Sequence, residues 1–221
     1  MANPESDLYL QQMEIGPMEN FVYLVGSKLT REVFVVDPAW QVDTVLRKVK
    51  EEGLKVKGAL ISHYHFDHTN GIEELLESCD CPVYVNKKDV PYMEFTSDRI
   101  KDIDAGAKLK AGDVEIECVH TPGHTPGSQC FHVRGHLISG DTLFINACGR
   151  TDFPGGDAKE MYYSLTQKLM KFDDSTILCP GHNYAEKTTT TMGEQKKTNP
   201  YLMCDSLDNF LRFRTGVSES R

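Results

Sequence analysis

The first third of the chain carries its apolar residues at strand spacing. Leu8–Ile15, Asn20–Val25 and Val33–Val36 read as three strands, separated by Gly16-Pro17 and by a turn region over 26–31. The period then lengthens: Val42, Val45, Leu46 and Val49 share one face, which predicts a helix over Asp43–Glu52 closed by Gly53. Val56–Ser62 is a short apolar strand that leads straight into a cluster of histidines. Helix Ile72–Glu77, strand Val83–Val85 and a helix around Lys88–Phe95 follow. Strand spacing returns at Val114–Val119, Gln129–Val133 and Leu137–Ser139. A helix near Asp157–Met170, a strand Thr176–Cys179 and a polar, helical C-terminal segment complete the pattern. Interleaved strands and helices predict a layered α/β fold, two sheets face to face with helices outside and polar motifs where strands stop.

Length and composition narrow this picture. With 221 residues and no internal repeat, one domain over 1–221 is expected, its chemical motifs within 63–182 and a short helical tail behind them. A net charge of −9 argues against a nucleic-acid partner. No apolar stretch approaches the ~20 residues that span a bilayer, and the start Met-Ala-Asn-Pro-Glu-Ser-Asp has neither the basic nor the apolar part of a secretory leader. Seven scattered cysteines, an odd number, read as reduced thiols, so a cytoplasmic location is expected. Cys79 and Cys81 lack a second pair at zinc spacing and read as one buried and one loop thiol.

The strongest chemical signal is His63-Tyr64-His65-Phe66-Asp67-His68, four ligand-type side chains in six residues. Such a cluster is costly to bury unless a cation compensates it. On an extended or turning backbone His63 and His65 aim the same way, and Asp67 and His68 can face a neighbouring position. Three later motifs add to it: Thr121-Pro122-Gly123-His124-Thr125-Pro126-Gly127, Ser139-Gly140-Asp141-Thr142-Leu143 and Cys179-Pro180-Gly181-His182-Asn183-Tyr184. Each sets a ligand-type side chain at a strand end beside a glycine, where the backbone can bend sharply.

The ordered set His-x-His-x-Asp-His, Gly-His-Thr, Gly-Asp and Gly-His resembles the metallo-β-lactamase superfamily from about residue 8 to residue 200. The resemblance implies an αββα four-layer sandwich with a dinuclear centre at one edge. It implies that His63, His65 and His124 hold a first metal, that Asp67, His68 and His182 hold a second, and that Asp141 bridges them. Two divalent ions are implied, zinc foremost, with iron and manganese also suited to nitrogen and oxygen ligands. Two such cations, about 3.5–4 Å apart in typical sites, can share a nucleophilic hydroxide and polarise a carbonyl, and Asp67 can orient the hydroxide while serving as a ligand.

Within the superfamily, Gly140-Asp141-Thr142-Leu143-Phe144, Cys148-Gly149-Arg150 and Gly181-His182-Asn183-Tyr184 are similar to the glyoxalase II-like, or hydroxyacylglutathione hydrolase-like, group. That likeness implies a hydrolase acting on a glutathione thioester or a similar thioester, with Asp67 and Asp141 catalytic and with Arg150 and Tyr184 near the glutathione moiety. A guanidinium suits a carboxylate and a phenol suits a peptide group; the alternatives are a structural salt bridge from Arg150 to Asp152 or Asp157 and a packing role for Tyr184. Only residues 183–221 follow His182, too few for the helical domain that completes the glutathione site in longer relatives, and a homo-oligomer could supply the missing half. The other reading is a persulfide dioxygenase, which Cys148-Gly149-Arg150-Thr151-Asp152-Phe153 also resembles, with one ferrous ion on His63, His124 and Asp141 and glutathione persulfide as substrate. That group commonly carries Ala at the position of Gly181. Asp37 is expected to hydrogen-bond a metal-binding histidine, whereas His120 reads as structural and His132 and His136 as solvent-facing.

Overall fold

The structure, a computed structural model, describes residues 7–215, so the reading of the first six residues lies outside the described residues. Six strands form one sheet in chain order: β1 (Leu8–Ile15), β2 (Asn20–Ser27), β3 (Glu32–Val36), β4 (Lys55–Leu60), β5 (Val83–Asn86) and β6 (Ile100–Ile103). The first three pair antiparallel, and β3 to β6 run parallel. The crossovers use α1 (Val42–Glu51), the short α2 (Phe66–Thr69) and α3 (Ile72–Ser78). The second sheet contains β7 (Lys108–Ala111), β8 (Val114–His120), β9 (Gln129–Val133) and β10 (His136–Gly140). A two-stranded ribbon of β11 (Leu143–Phe144) and β12 (Ala147–Cys148) follows, then α4 (Ala158–Tyr163), which continues as a wider and then a tighter helical turn to Lys171. Strand β13 (Ile177–Pro180) lies parallel to β10, and β14 (Thr190–Thr191) pairs antiparallel with β13 at the edge. Helices α5 (Met192–Thr198) and α6 (Leu207–Thr215) complete the described chain.

The period of two along β2 sets the layers. Phe21, Tyr23 and Val25 face the second sheet and pack with Phe34, Leu60, Ile116, Phe131 and Ile138. Val22 and Leu24 point the other way, with Val33, Val35 and Ile61, onto Val42, Val45, Ile72 and Leu75 of the helices. The outer face of the second sheet does the same, Leu137 and Leu178 meeting Met161, Leu165 and Phe210. One slip in register would turn each strand inside out. The result is the αββα four-layer sandwich.

Three differences from the sequence reading have physical reasons. Strands β6, β7 and β14 were not expected; all lie at or near sheet edges and are short and polar, with charges such as Lys101 and Lys108 on the open face. The helix expected around Lys88–Phe95 is only a single 3₁₀ turn, Val90–Tyr92, because Pro91 fits a first helical turn and supplies no amide for a second. The polar C-terminal segment is two helices, divided by the Asn199–Leu202 turn. Among the described residues no helix is long and apolar enough to cross a membrane, and all seven cysteines are free thiols.

Candidate metal centre

The edge where β4, β8, β10 and β13 end collects the seven side chains singled out in the sequence. After β4 the chain bends at Ser62 and carries His63 and His65 side by side, their rings 4.7 Å apart. His65 then starts a single helical turn, its carbonyl accepting bonds from the His68 amide and the Thr69 hydroxyl, both at 3.0 Å. This turn brings the His68 ring to 4.2 Å from that of His63, on the side away from His124, and carries Asp67 towards His182. His124 arrives from the loop after β8. Asp141 and His182 follow β10 and β13, and the parallel pairing of Gly140 with Pro180 sets them side by side. The close approach requires glycine: a Cβ on residue 181 would stand 2.6 Å from Asp141 Oδ1.

Three overlapping groups converge: His63, His65 and His124; His63, His68 and Asp141; and Asp67, His68 and His182, the ligand atoms of each within 4.8 Å of one another. Asp141 lies between the two ends, Oδ1 at 3.3 Å from His68 Nε2, and Oδ2 at 3.6 Å from His124 Nε2 and 3.5 Å from His182 Nε2. The Nε2 atoms of His63, His65 and His124 are buried without a hydrogen-bond partner. Buried polar atoms are rarely left so, and three lone-pair donors aimed at one point fit a divalent cation. The opposite nitrogens are fixed by oxygen partners. His63 Nδ1 is 3.0 Å from Ser62 Oγ, His68 Nδ1 3.0 Å from Asp37 Oδ2, His124 Nδ1 2.6 Å from the Arg150 carbonyl and His182 Nδ1 2.8 Å from the Met18 carbonyl. Such contacts select the tautomer that points Nε2 inward. The residues present therefore suit a pair of divalent cations.

Two buried aspartates brace this shell. Asp37 accepts the Ser62 amide and hydroxyl, both at 2.6 Å, as well as reaching His68, and so bears on one histidine of each outer group. Asp89 has no signal in the sequence, because its partners are distant along the chain. It accepts from the Tyr64 amide at 3.0 Å, the Thr125 hydroxyl at 2.7 Å and the Gly127 amide at 2.6 Å, tying the His63–His65 segment to the His124 loop. Burial pushes its carboxyl up to about 6 against the pull of these donors.

The charges divide the centre. Burial, followed by repulsion from His68, holds His63 well below its ordinary value, and burial with His124 brings His65 down to about 4. Burial lowers His124 as well, against the attraction of Asp141. Burial also acts downward on His68 and His182, but carboxylates outweigh it: Asp141 and Asp37 raise His68, and Asp141 and Asp67 lift His182 to about 9. Burial acts upward on Asp67 and Asp141, yet the imidazoles beside them, and Asn20 beside Asp67, keep both carboxyls below the usual carboxylate range.

The centre forms the floor of a pocket of about 620 Å³, whose walls include Met18, Phe66, Phe144, Arg150, Phe153 and Tyr184. Tyr184 is exposed and stacks on His182, with ring centroids 4.6 Å apart. Arg150 also faces the pocket, but its guanidinium is paired with Asp152 through contacts of 2.6 and 3.0 Å and lies over the Phe153 ring. Phe66, Phe144 and Phe153 stood inside the motifs with no role read for them; an aromatic side chain in an otherwise polar ligand loop was the available signal. Met18 had none. His120 bonds the Pro126 carbonyl at 2.9 Å, and Cys79 and Cys81 belong to no ligand cluster among the described residues. His132 is half-buried against Phe172, less open than the sequence implied.

Comparison with known proteins agrees with this geometry. The family model for the metallo-beta-lactamase superfamily matches residues 15–182. Two proteins of Bacillus subtilis are similar. The probable polyketide biosynthesis zinc-dependent hydrolase PksB is 27% identical, over 89% of this chain and 87% of its own. The probable metallo-hydrolase YqgX is 30% identical, over 87% and 96%. Among solved structures, ETHE1 from Myxococcus xanthus superimposes with a TM-score of 0.86 at 28% identity, covering 96% of this chain and 92% of that one. TTHA1623 in a di-iron-bound form gives 0.77 at 29% identity, covering 87% and 100%. With its strand-end ligand motifs, its four layers and a family match over most of its length, this chain belongs to the metallo-beta-lactamase superfamily.

Proposed function

We propose that this protein is a metal-dependent thioester hydrolase, its first metal held by His63, His65 and His124, its second by Asp67, His68 and His182, and Asp141 reaching both. The observation that carries the reading is the convergence of three partnerless imidazole nitrogens on a point beside a carboxylate that spans both ligand groups. Divalent cations bound there would polarise a carbonyl and lower the pKa of a water towards neutrality. Asp67, fixed by the Asn20 amide at 3.0 Å, would orient that water by accepting its hydrogen bond. Tyr184 and Arg150 stand at the mouth, where a thiol carrier such as glutathione would leave the pocket. Zinc is supported by the name of the PksB relative, and the di-iron form of TTHA1623 supports iron as the alternative. The partner proposed is a small molecule, and a second copy of the chain would be the means of enlarging the carrier site.

The second reading is a persulfide dioxygenase with one ferrous ion on His63, His124 and Asp141, and the likeness to ETHE1 is compatible with it. Gly181 favours the hydrolase, because an alanine there would press on Asp141 Oδ1, the oxygen nearest His68 of the second group. Elemental analysis paired with two assays separates them. Two metals per chain and hydrolysis of S-lactoylglutathione or another thioester are expected. Oxygen uptake with glutathione persulfide, at one iron per chain and without hydrolysis, overturns the proposal.

A further inference from the structure

Eight large apolar side chains are exposed among the described residues, and four of them, Met18, Phe66, Phe153 and Tyr184, line the one pocket above the metal centre. Apolar exposure gathered around a single concavity marks a place where an apolar partner is covered. These side chains are held there. The Phe153 ring lies 4.9 Å from that of His65, Phe66 meets the edge of Trp40 at 6.0 Å, and Tyr184 packs between His182 and Phe144, the latter at 5.5 Å. Charge points the same way. Apart from the candidate ligands, the only ionic side chain lining the pocket is Arg150, and Asp152 already neutralises it. A thiol carrier such as glutathione brings two carboxylates and an ammonium, for which these walls provide no free counter-charge. The carrier's charged part is therefore better placed outside, and the space beside the metals is suited to hydrocarbon.

We infer that the substrate is a thioester of an apolar acyl group, aliphatic or aromatic, which lies against Met18, Phe66 and Phe153 while the thiol carrier extends past Tyr184 to solvent. This rests on the hydrolase reading above. In the reaction a water oxygen bonds to the acyl carbon and the C–S bond breaks. Of the two protons of that water, one goes to the departing sulfur and the other is released to solvent, so the products are a fatty or aromatic carboxylate, a free thiol and a proton.

The test uses the metal-loaded protein and a neutral carrier, so that carrier charge plays no part. Calorimetry measures binding of the S-methyl, S-butyl and S-octyl thioethers of N-acetylcysteamine, which have no cleavable bond. Kinetics follow the acetyl, butyryl and octanoyl thioesters of the same carrier. Affinity and kcat/KM are expected to rise together, by about fourfold for each methylene the pocket encloses, and Met18→Ser is expected to flatten both series. An affinity that ignores chain length, or falls with it, overturns the inference whether or not the thioesters are cleaved. Affinity that rises with chain length, with no thioester cleaved, supports the apolar site and refutes the hydrolase reading alone.

Discussion

Around the first cation position, His63, His65 and His124 present nitrogens that no protein group satisfies. Around the second, His68, His182 and Asp67 satisfy one another. His68 Nε2 and His182 Nε2 stand 3.1 Å apart, a separation that one shared proton fits, and Asp67 Oδ2 is 3.4 Å from each. The first position is thus prepared to take a cation with no proton to displace, whereas the second exchanges a proton for its metal. The difference comes from carboxylates: Asp37, Asp67 and Asp141 bear on His68, and the last two on His182 as well, whereas the first group has only Asp141, 3.6 Å from His124.

The largest test of this contrast removes what the two positions share. Asp141→Ala is expected to empty both and to lower hydrolysis by about a thousandfold, the several kcal/mol that metal polarisation supplies. Metal content and kcat report it, and circular dichroism checks the fold. Retention of both metals would show that Asp141 does not bridge.

Metal retention against pH resolves the two positions directly. His182 holds its proton up to about 9, so affinity at the second position should fall about tenfold for each pH unit below that, for one proton displaced. His65 is already neutral above about 4, and burial keeps His63 and His124 low, so the first position should be flat from pH 6 to 9. Dialysis against a weak chelator should leave two metals per chain at pH 9 and one at pH 6. Parallel loss of both would erase the distinction.

A smaller effect is expected from the bracing aspartates. Asp89→Asn replaces an acceptor of three donors and should weaken the first position by about ten- to a hundredfold while sparing the second. Asp37→Asn should weaken both, since Asp37 reaches His68 directly and His63 through Ser62. Metal titration of each variant measures this. Smallest of all, Arg150→Ala should raise KM for a glutathione thioester by only a few-fold, with metal content unchanged, because its charge is exposed and already paired.

The sequence disclosed the centre more fully than its surroundings. All seven candidate ligands were readable, because imidazoles and carboxylates packed at strand ends beside glycines have few other uses. Asp37 was readable as a brace because it too ends an apolar strand. Asp89 was not: an aspartate in Lys87-Lys88-Asp89-Val90 resembles a surface loop, and only folding brings Tyr64, Thr125 and Gly127 to it. Arg150 was poised between salt bridge and ligand contact, and the structure shows the salt bridge, to Asp152, on a side chain that lines the pocket.

What the chain determined by itself is local: the alternation that builds each strand, the apolar helix faces, and the six-residue run that carries His63, His65, Asp67 and His68. Hydrogen bonding and side-chain period act over a few residues, so they can be read in order along the chain. The meeting of His124, Asp141 and His182 with that run, the parallel register of β10 with β13, and the apolar wall built from Met18, Phe66 and Phe153 were decided by tertiary structure alone. They depend on which sheet faces cover each other, and that is settled by burying the whole apolar surface at once.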